Sequence, residues 1–273
     1  MLAALLLVVS AQVVVQLTSA GPAAAFVPGL TRAVATSATN SLGSRTVFAT
    51  CPAGTVDFGG GGSVNGADGQ PVMLTELKPT FFGYEASAAE NAVTGYSGNW
   101  SLSAYAICGT PPAGYEVTST SVALTSGTFH AQSRACSSGK RVLGSGGEVH
   151  PAGAVAPGFV GLHLIRPDDP LSIGRATARV IPQGFSGLWA VNAYVVCAFP
   201  IDQGYTDRLI TTSGGFLVCP AGALTGAGGG GGVIDLGPFY LQSIIPLPGL
   251  TEVYSSMTGV PRGGMVIQGT CAQ

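Results

Sequence analysis

The chain has 273 residues, of which 9% are charged, 46% are hydrophobic and 42 are glycines, and its formal net charge is −2. A typical globular protein has about 25% charged residues and about 7% glycine. This composition excludes a polybasic nucleic-acid-binding protein, which needs clustered Lys and Arg to neutralise phosphates. It also excludes a coiled coil and a charged disordered chain.

The N-terminus is typical of an export signal. Residues 2–15 are apolar except for Ser10 and Gln12, and no charged residue precedes Arg32. This run of about 14 residues is shorter than the roughly 20 that span a bilayer. Residues 23–25 are Ala-Ala-Ala, which predicts cleavage before Phe26. We therefore predict a signal peptide at residues 1–25 and no membrane span in the mature chain. A buried N-terminal helix and an uncleaved anchor are the alternatives, since the n-region lacks the usual Lys or Arg.

Three blocks of the remaining sequence repeat one another. Cys51 is followed by glycines 3, 8, 10 and 11 residues later and by a valine 13 residues later, and the same five offsets follow Cys136. Cys219 starts a third block, which has glycines 3, 10 and 11 residues later and a valine displaced by one residue. The first two blocks end on Trp and, eight residues later, Cys, whereas the third has Gly263 in place of the Trp. We predict repeats at residues 26–110, 111–199 and 200–273, the last one degenerate.

The end of each block shows the alternation of a half-buried β-strand. Between Trp100 and Cys108, every second residue is apolar, and the segment that ends at Cys197 repeats the pattern. We expect this parity to face the core, and Tyr105 and Tyr194 to point to the other face.

The middle of each block indicates a more irregular strand. Leu74 and Leu77 have opposite parity, so this strand either is covered on both faces or contains a β-bulge. No segment of the mature chain has helical periodicity over ten or more residues. Residues 209–234 are uncharged and rich in glycine, which favours turns and bends, because glycine weakens strands. The patterns predict an all-β protein of three antiparallel repeats, arranged in one body or as three tandem β-sandwich domains.

Six cysteines in an exported chain indicate disulfides. Each repeat has one Cys near its start and one at its end, so the repeat selects one pairing among those possible. We predict the bonds Cys51–Cys108, Cys136–Cys197 and Cys219–Cys271. A thiolate metal site is disfavoured, because the sequence has no C-x-x-C pair.

The Cys-x-x-Gly start, the paired glycines and the Ala-Tyr-x-x-Cys end of the blocks resemble modules in exported proteins of high-GC Gram-positive bacteria, mostly of unassigned function. Similar single modules end collagen-like stalks, which are trimeric. The resemblance covers residues 26–273 and implies threefold packing, here a pseudo-threefold head within one chain. This arrangement is similar to the β-prism of vitelline membrane outer layer protein I, which also has three β repeats. The resemblance brings no catalytic residues.

Candidate residues for chemistry concentrate in the second repeat, which holds all three histidines, His130, His150 and His163. They are compatible with a metal site or with solvent-facing side chains, and we place His163 on the outer face of its strand. We favour the solvent-facing reading and predict no metal site and no cofactor.

Two acidic residues, Asp168 and Asp169, lie in an Arg-Pro-Asp-Asp-Pro stretch. Together with Glu148, they offer carboxylates for glycoside hydrolysis or for Ca²⁺, although Asp beside Pro is also common in turns. The candidate binding residues are therefore His163, Asp168, Asp169, Tyr105 and Tyr194. Tyr115 and Tyr205 are further candidates for an exposed aromatic surface, whereas Trp100 and Trp189 share the core parity.

The sequence predicts a secreted, disulfide-stabilised and non-enzymatic surface or binding protein that recognises a glycan or a protein, and no nucleic acid. One alternative is a structural envelope or matrix protein with a neutral surface. The other is a hydrolase with a site in the second repeat, although neither a G-x-S-x-G elbow nor a phosphate-binding loop occurs.

Overall fold

The computed structural model describes residue 27 and residues 29–153, 157–231, 239–259 and 262–272. These residues form 18 strands in three six-stranded antiparallel sheets, which confirms the predicted all-β class of three repeated units. Across these ranges there is no helix long and apolar enough to cross a membrane. The predicted signal peptide at residues 1–25 lies outside the described residues.

Each repeat contributes six strands. The first repeat contains β1 (Thr31–Thr36), β2 (Ser44–Thr50), β3 (Val56–Asn65), β4 (Val72–Pro79), β5 (Gly83–Glu90) and β6 (Ser101–Gly109). The second contains β7 (Glu116–Ser119), β8 (Phe129–Ala135), β9 (Arg141–Pro151), β10 (Val160–Asp168), β11 (Ile173–Val180) and β12 (Trp189–Ala198). The third contains β13 (Gln203–Ile210), β14 (Gly214–Val218), β15 (Ala223–Gly231), β16 (Leu241–Pro246), β17 (Glu252–Met257) and β18 (Met265–Ala272).

Every sheet is shared between two neighbouring repeats. Sheet 1–2 has the order β2-β5-β4-β9-β12-β7, sheet 2–3 the order β13-β18-β15-β10-β11-β8, and sheet 3–1 the order β1-β6-β3-β16-β17-β14. The repeats meet at a central seam in each sheet, at β4–β9, β10–β15 and β16–β3. One hydrophobic cluster contains buried residues of all three repeats. The repeats therefore close into one pseudo-threefold body, and three independent β-sandwich domains are excluded.

The middle strand of each repeat contains a β-bulge. The pairing of β4 with β5 shifts between Leu74 and Glu76, and the equivalent pairings shift at the same place in the other two repeats. The bulged residues are Thr75, His163 and Gln242. The bulge explains why Leu74 and Leu77 both face the core despite their opposite parity.

Glycines bring the three repeats together at the pseudo-threefold axis. A Cβ on Gly59 would lie 3.1 Å from the Cα of Gly144 and 3.2 Å from the Cα of Gly226. Each of these glycines directly follows a bulge in β3, β9 or β15. The first two lie eight residues after the first Cys of their repeat, and Gly226 lies seven residues after Cys219, so the third repeat is one residue shorter at this point.

A second set of glycines lines the seams. A Cβ on Gly61 would lie 2.0 Å from the carbonyl oxygen of Ile244, and a Cβ on Gly146 would lie 2.3 Å from that of Leu77. The glycine-rich segment Ala223–Gly231 is accordingly strand β15. The expectation of turns and bends across residues 209–234 is therefore wrong for the described part. The close approach of two repeats requires residues without side chains, and this requirement overrides the low strand propensity of glycine.

The last strands of the first two repeats bury the side chains of the predicted parity. Trp100, Leu102 and Cys108 have no exposed surface, and neither do Trp189 and the equivalent residues of β12. In β6 the residues of the other parity, including Tyr105 and Ile107, are buried as well, so this strand is covered on both faces and is not half-buried as the alternation predicts.

The three predicted disulfides are present, each within one repeat, with Cα–Cα distances of 5.5, 5.8 and 5.8 Å. The pseudo-symmetry places all three at one end of the molecule, which we call the disulfide end. The β4–β5, β10–β11 and β16–β17 turns lie at the same end, because the N–H of Cys51 donates to the carbonyl of Phe82, and the other two repeats make the equivalent bond. Three disulfides fit a protein of an oxidising, extracellular compartment.

Candidate functional site

Equivalent positions of the three sheets have the same strand pairing. A side chain that occurs at only one of three equivalent positions is therefore not required by the fold. At the seam of sheet 1–2, Glu76 lies directly opposite Glu148. The equivalent pairs are Leu164–Gly230 in sheet 2–3 and Ser243–Ser63 in sheet 3–1. Sheet 1–2 therefore carries two facing carboxylates at a place where the other sheets have neutral residues.

A lysine joins the two carboxylates across the seam. The Nζ atom of Lys78 lies 2.5 Å from Oε1 of Glu76 and 3.6 Å from Oε1 of Glu148. The hydroxyl of Ser87 donates a hydrogen bond of 2.6 Å to the second oxygen of Glu76. The side chains of the two glutamates are only 12% and 17% exposed, so these ion pairs are partly shielded from water.

The second repeat surrounds Glu148 with further polar groups. Nε2 of His150 lies 3.1 Å from Oε2 of Glu148, and the hydroxyl of Tyr194 donates to the same oxygen. The amide of Asn192 lies 2.8 Å from Nε2 of His150. The side chain of His150 is 40% exposed, so a ligand can reach it from solvent. We call Glu76, Lys78, Glu148, His150 and Tyr194 the charged cluster.

The environment fixes the protonation state of Glu148. Burial alone would raise its pKa, but the hydrogen bonds from His150 and Tyr194 and the charges of His150 and Lys78 lower the pKa to about 2. The hydrogen bond to Glu148 raises the pKa of His150, against the opposing effect of burial. Glu148 is therefore ionised throughout the physiological pH range.

We expect the Glu148–His150 pair to stabilise the fold most between about pH 4.5 and 6.5. The folded-state pKa of Glu148 is depressed, so its contribution exists above the unfolded pKa of about 4.3 and disappears as the pH falls towards 2. The folded-state pKa of His150 is raised, so its contribution exists below about 6.5 and disappears as the pH rises through the folded value. Denaturant unfolding at several pH values should show that Glu148→Gln costs less than about 1 kcal/mol, because both groups are partly exposed.

The control for this experiment is Ser63→Ala, at the equivalent position of sheet 3–1. Its effect on the free energy of unfolding should not depend on pH. A difference between wild type and Glu148→Gln that is flat from pH 4 to pH 8 would contradict the coupling of Glu148 to His150.

Exposed aromatic side chains border the outer face of sheet 1–2 at the disulfide end. Phe81 and Phe82 form the tip of the β4–β5 turn and are 51% and 67% exposed. Their ring centroids are 5.1 Å apart, and the ring of Tyr115 lies 5.4 Å from that of Phe81. Phe48, which pairs with Glu85 on this face, is also exposed. We call Phe48, Phe81, Phe82 and Tyr115 the aromatic border.

The equivalent turns of the other repeats bury an aliphatic residue instead. They are two residues longer and carry Leu171 and Leu250, whose φ angles of 63° and 50° turn the side chains inward. The carbonyl of Leu171 accepts from the N–H of Val142, and that of Leu250 from the N–H of Leu224. These leucines are only 2% and 4% exposed. The first repeat has lost this leucine and exposes phenylalanines at the same turn.

The first repeat also has an acid where the others have an aliphatic residue. Asp57, Val142 and Leu224 are equivalent, since each pairs with the last Cys of its repeat. Asp57 has no exposed surface, and within the described ranges its Oδ2 atom has no hydrogen-bond partner. Burial raises its pKa well above the usual range. Tyr115 covers this position, and its hydroxyl donates to the carbonyl of Asp57 at 2.6 Å.

Two of the sequence-predicted site residues lie elsewhere than expected. His163 is the bulged residue of β10 and is 2% exposed, with Nδ1 2.8 Å from the carbonyl oxygen of Phe239. The expectation that it faces solvent is wrong, because Phe129 and the segment at Phe239 cover the imidazole. Tyr105 is 9% exposed and lies under the guanidinium of Arg32, 5.2 Å from the ring centroid. It is not part of an exposed aromatic surface.

Asp168 and Asp169 do not join Glu148. Asp168 lies in sheet 2–3, where its two oxygens are 2.9 Å from Nε of Arg166 and 2.7 Å from Nη2 of Arg175. Asp169 is exposed in the turn that follows. The carboxylate pair expected across Glu148 and these residues is absent from the described structure, and the partner of Glu148 is Glu76.

The three histidines contact different groups. His130 stacks on Trp189 with 3.9 Å between the ring centroids, His150 belongs to the charged cluster, and His163 lies in its bulge. Among the residues that the structure describes, no three His, Cys, Asp or Glu side chains are grouped closely enough to hold a metal ion. Of the five candidate binding residues, only Tyr194 belongs to the charged cluster, which also contains His150 and Glu148, both considered from the sequence for metal binding or catalysis.

Sequence reasoning missed Glu76, Lys78, Phe81 and Phe82. Alignment of the repeats contains a signal for them, because Glu76 corresponds to Leu164 and Ser243 in the other middle strands. A charge at a position that is neutral in both other copies identifies a side chain added to the common scaffold.

No protein-family model matches the sequence, and no curated protein matches it. The function proposed below therefore depends on the geometry of sheet 1–2.

Proposed function

We propose that this is a secreted, non-enzymatic binding protein that recognises a glycan or a protein on the outer face of sheet 1–2. The observation that carries this proposal is the combination of the charged cluster with the aromatic border on one of three equivalent faces. The disulfides and the shared sheets supply the rigid scaffold that such a face needs.

The chemistry of this face suits both kinds of ligand. Carboxylate, amide and imidazole groups accept or donate hydrogen bonds in fixed directions, and aromatic rings supply contact area at low cost in conformational entropy. Aromatic side chains, including phenylalanine, are enriched in the cores of protein–protein interfaces. Phe81 and Phe82 also lie at a short turn between two sheet strands, so their positions are defined before a ligand binds.

The electrostatics of Glu148 favour ligand binding over acid catalysis by this residue, and the neighbouring carboxyl of Glu85 is the one whose pKa burial raises. A glycosidase needs one carboxyl group with a raised pKa as general acid. Glu148 has the opposite shift, with a pKa of about 2, and Lys78 pairs with both glutamates. The Glu148 carboxylate is therefore suited to accept hydrogen bonds from a ligand.

A glycan array, followed by pull-down with immobilised protein for protein ligands, tests the proposal. We expect saturable binding that weakens at least tenfold in Phe81→Ala/Phe82→Ala and in Glu148→Gln. The matched control is Phe216→Ala, which removes an exposed phenylalanine from sheet 3–1 and should leave binding unchanged. Absence of any saturable ligand, or equal binding by wild type and the sheet 1–2 variants, would overturn the proposal.

A structural role in an envelope or matrix is the second candidate, and sheet 3–1 favours it. Its outer face carries hydroxyl groups in the pairs Thr36–Ser103 at 2.8 Å and Ser63–Ser243 at 3.0 Å, together with the guanidinium of Arg32. A face rich in hydroxyl groups suits self-association. Sedimentation velocity distinguishes the two, since concentration-dependent assembly without a ligand supports the structural role.

A further inference from the structure

Neighbouring sheets meet at three corners, and each corner is formed by two edge strands of one repeat. These pairs are β1 with β2, β7 with β8, and β13 with β14. In the first repeat the two edge strands pack against each other and close the corner, and in the third repeat they touch over a shorter stretch. In the second repeat β7 has only four residues and hardly contacts β8. The corner of the second repeat is therefore open.

The open corner leaves β8 unusually exposed. Five of its seven residues are exposed and none is buried, whereas β2, the equivalent strand of the first repeat, buries Arg45 and Ala49. β8 is the last strand of sheet 2–3, so one side of its backbone has no strand partner among the described residues.

A cavity of about 430 Å³, wide open to solvent, lies between β8 and the segment that connects it to β7. Its lining is about equally polar and apolar. Val122, Ala123, Phe129 and Ala131 supply apolar groups, and Thr125, the imidazole of His130 and the amide of Gln132 supply polar groups. The cavity thus combines a free strand edge with a recess of mixed polarity beside it.

In the first repeat, a side chain of the protein itself fills the equivalent space. The guanidinium of Arg45 lies 4.2 Å from the ring centroid of Trp100, and its Nη2 atom donates to the carbonyl of Asn40 at 2.5 Å. In the second repeat the shorter His130 takes the place of the arginine and stacks on Trp189. The cavity therefore results from a departure from the threefold symmetry.

We propose that an extended peptide segment of a partner protein binds in this corner, adds to the free edge of β8 and places one apolar side chain in the cavity. The edge of a sheet presents N–H and C=O groups in a row, which another extended backbone pairs most completely. Natural edge strands are usually protected by prolines, several charges or a covering segment. β8 has no proline, and Arg134 is its one charged residue.

This site is separate from the charged cluster and from the aromatic border, so it does not depend on the function proposed for sheet 1–2. Variants of Phe81 and Phe82 should leave peptide binding unchanged. Each proposal can therefore fail without the other.

The probe is an array of synthetic, end-capped octapeptides with alternating apolar and polar residues, and the strongest binder is titrated by fluorescence anisotropy. Ala131→Lys/Ser133→Lys adds two lysines to the exposed edge of β8. Its control is Thr31→Lys/Val34→Lys, which adds two lysines at exposed positions of β1, in a closed corner. We expect at least tenfold weaker binding by the β8 variant and unchanged binding by the β1 variant.

N-methylation of the bound peptide separates strand addition from side-chain binding. Alternate amides of an added strand point towards β8, so N-methyl groups on one set of alternate residues should abolish binding and those on the other set should not. The proposal is overturned if no peptide binds saturably below about 1 mM, if the lysines on β8 have no effect, or if both sets of N-methyl groups act equally.

Discussion

Gly144→Ala should destabilise the protein by at least about 3 kcal/mol or prevent folding. The new Cβ would lie 2.4 Å from the carbonyl oxygen of Phe58 and 2.7 Å from the Cα of Gly59. Both atoms belong to the backbone of β3, so neither can rotate away as a side chain would. Relief requires β3 and β9 to separate at the axis, where all three repeats meet. Urea unfolding of the purified variant measures the loss.

The control for this variant is Gly204→Ala on the exposed surface of β13. No atom lies within 4 Å of its added Cβ, and its φ angle lies outside the positive region that favours glycine. Its free energy of unfolding should stay within about 0.5 kcal/mol of wild type. If Gly144→Ala had as small an effect on the free energy of unfolding as this control, strands β3, β9 and β15 would not contact one another through their glycines.

Asp57→Val should stabilise the protein by about 1–3 kcal/mol at neutral pH. The wild-type side chain is fully buried, and one carboxyl oxygen has no hydrogen-bond partner within the described residues. Valine is the residue found at the equivalent position of the second repeat, where Val142 is fully buried. The substitution removes the cost of burying the carboxyl group and places an apolar side chain of similar size in the core.

The gain should grow with pH. Burial raises the pKa of Asp57 in the folded state, so the folded protein holds this proton more tightly than the unfolded chain. Wild type therefore loses stability as the pH rises from the unfolded pKa of about 3.9 towards the folded value, and the valine variant lacks this loss. Thermal and urea unfolding between pH 4 and pH 8 measure the difference. A valine variant that is less stable than wild type at every pH would contradict the account of this position.

The sequence repeat was enough to predict the disulfides and the strand class. Cys51 and Cys108 bracket one copy of the repeat, and the alternation up to Cys108 identifies a strand. These features depend on residues within one repeat, so the amino-acid sequence alone is enough to predict them. The pairing of β4 with β9 is different, because period-two alternation is the same whichever repeat supplies the neighbouring strand. The alternation of apolar and polar residues therefore could not predict that neighbouring repeats share their sheets.

The candidate site was harder to predict for the same reason. Glu76 and Lys78 belong to the first repeat and Glu148 to the second, and the seam alone brings them together. The error at His163 came from long-range covering, since Phe129 and the segment at Phe239 lie against its side chain and the alternation of β10 alone does not contain them. The glycine run of β15 predicted turns because glycine has a low strand propensity. The close approach of a neighbouring repeat, which favours glycine in this strand, is not visible in the sequence.

Closure of the three repeats into a ring is tested most directly at the seam between the third and the first repeat. Ser63 and Ser243 are 180 residues apart in sequence, yet they are opposite partners on β3 and β16 with their hydroxyl oxygens 3.0 Å apart. Ser63→Cys/Ser243→Cys, oxidised in dilute solution and mapped without reduction, should form an intramolecular bond between these residues and keep the three native disulfides. Ser63→Cys/Ser133→Cys, which places the second thiol in sheet 2–3, should not form one. A Ser63→Cys/Ser243→Cys variant whose new thiols stay free, or pair only between molecules, would contradict a ring of shared sheets.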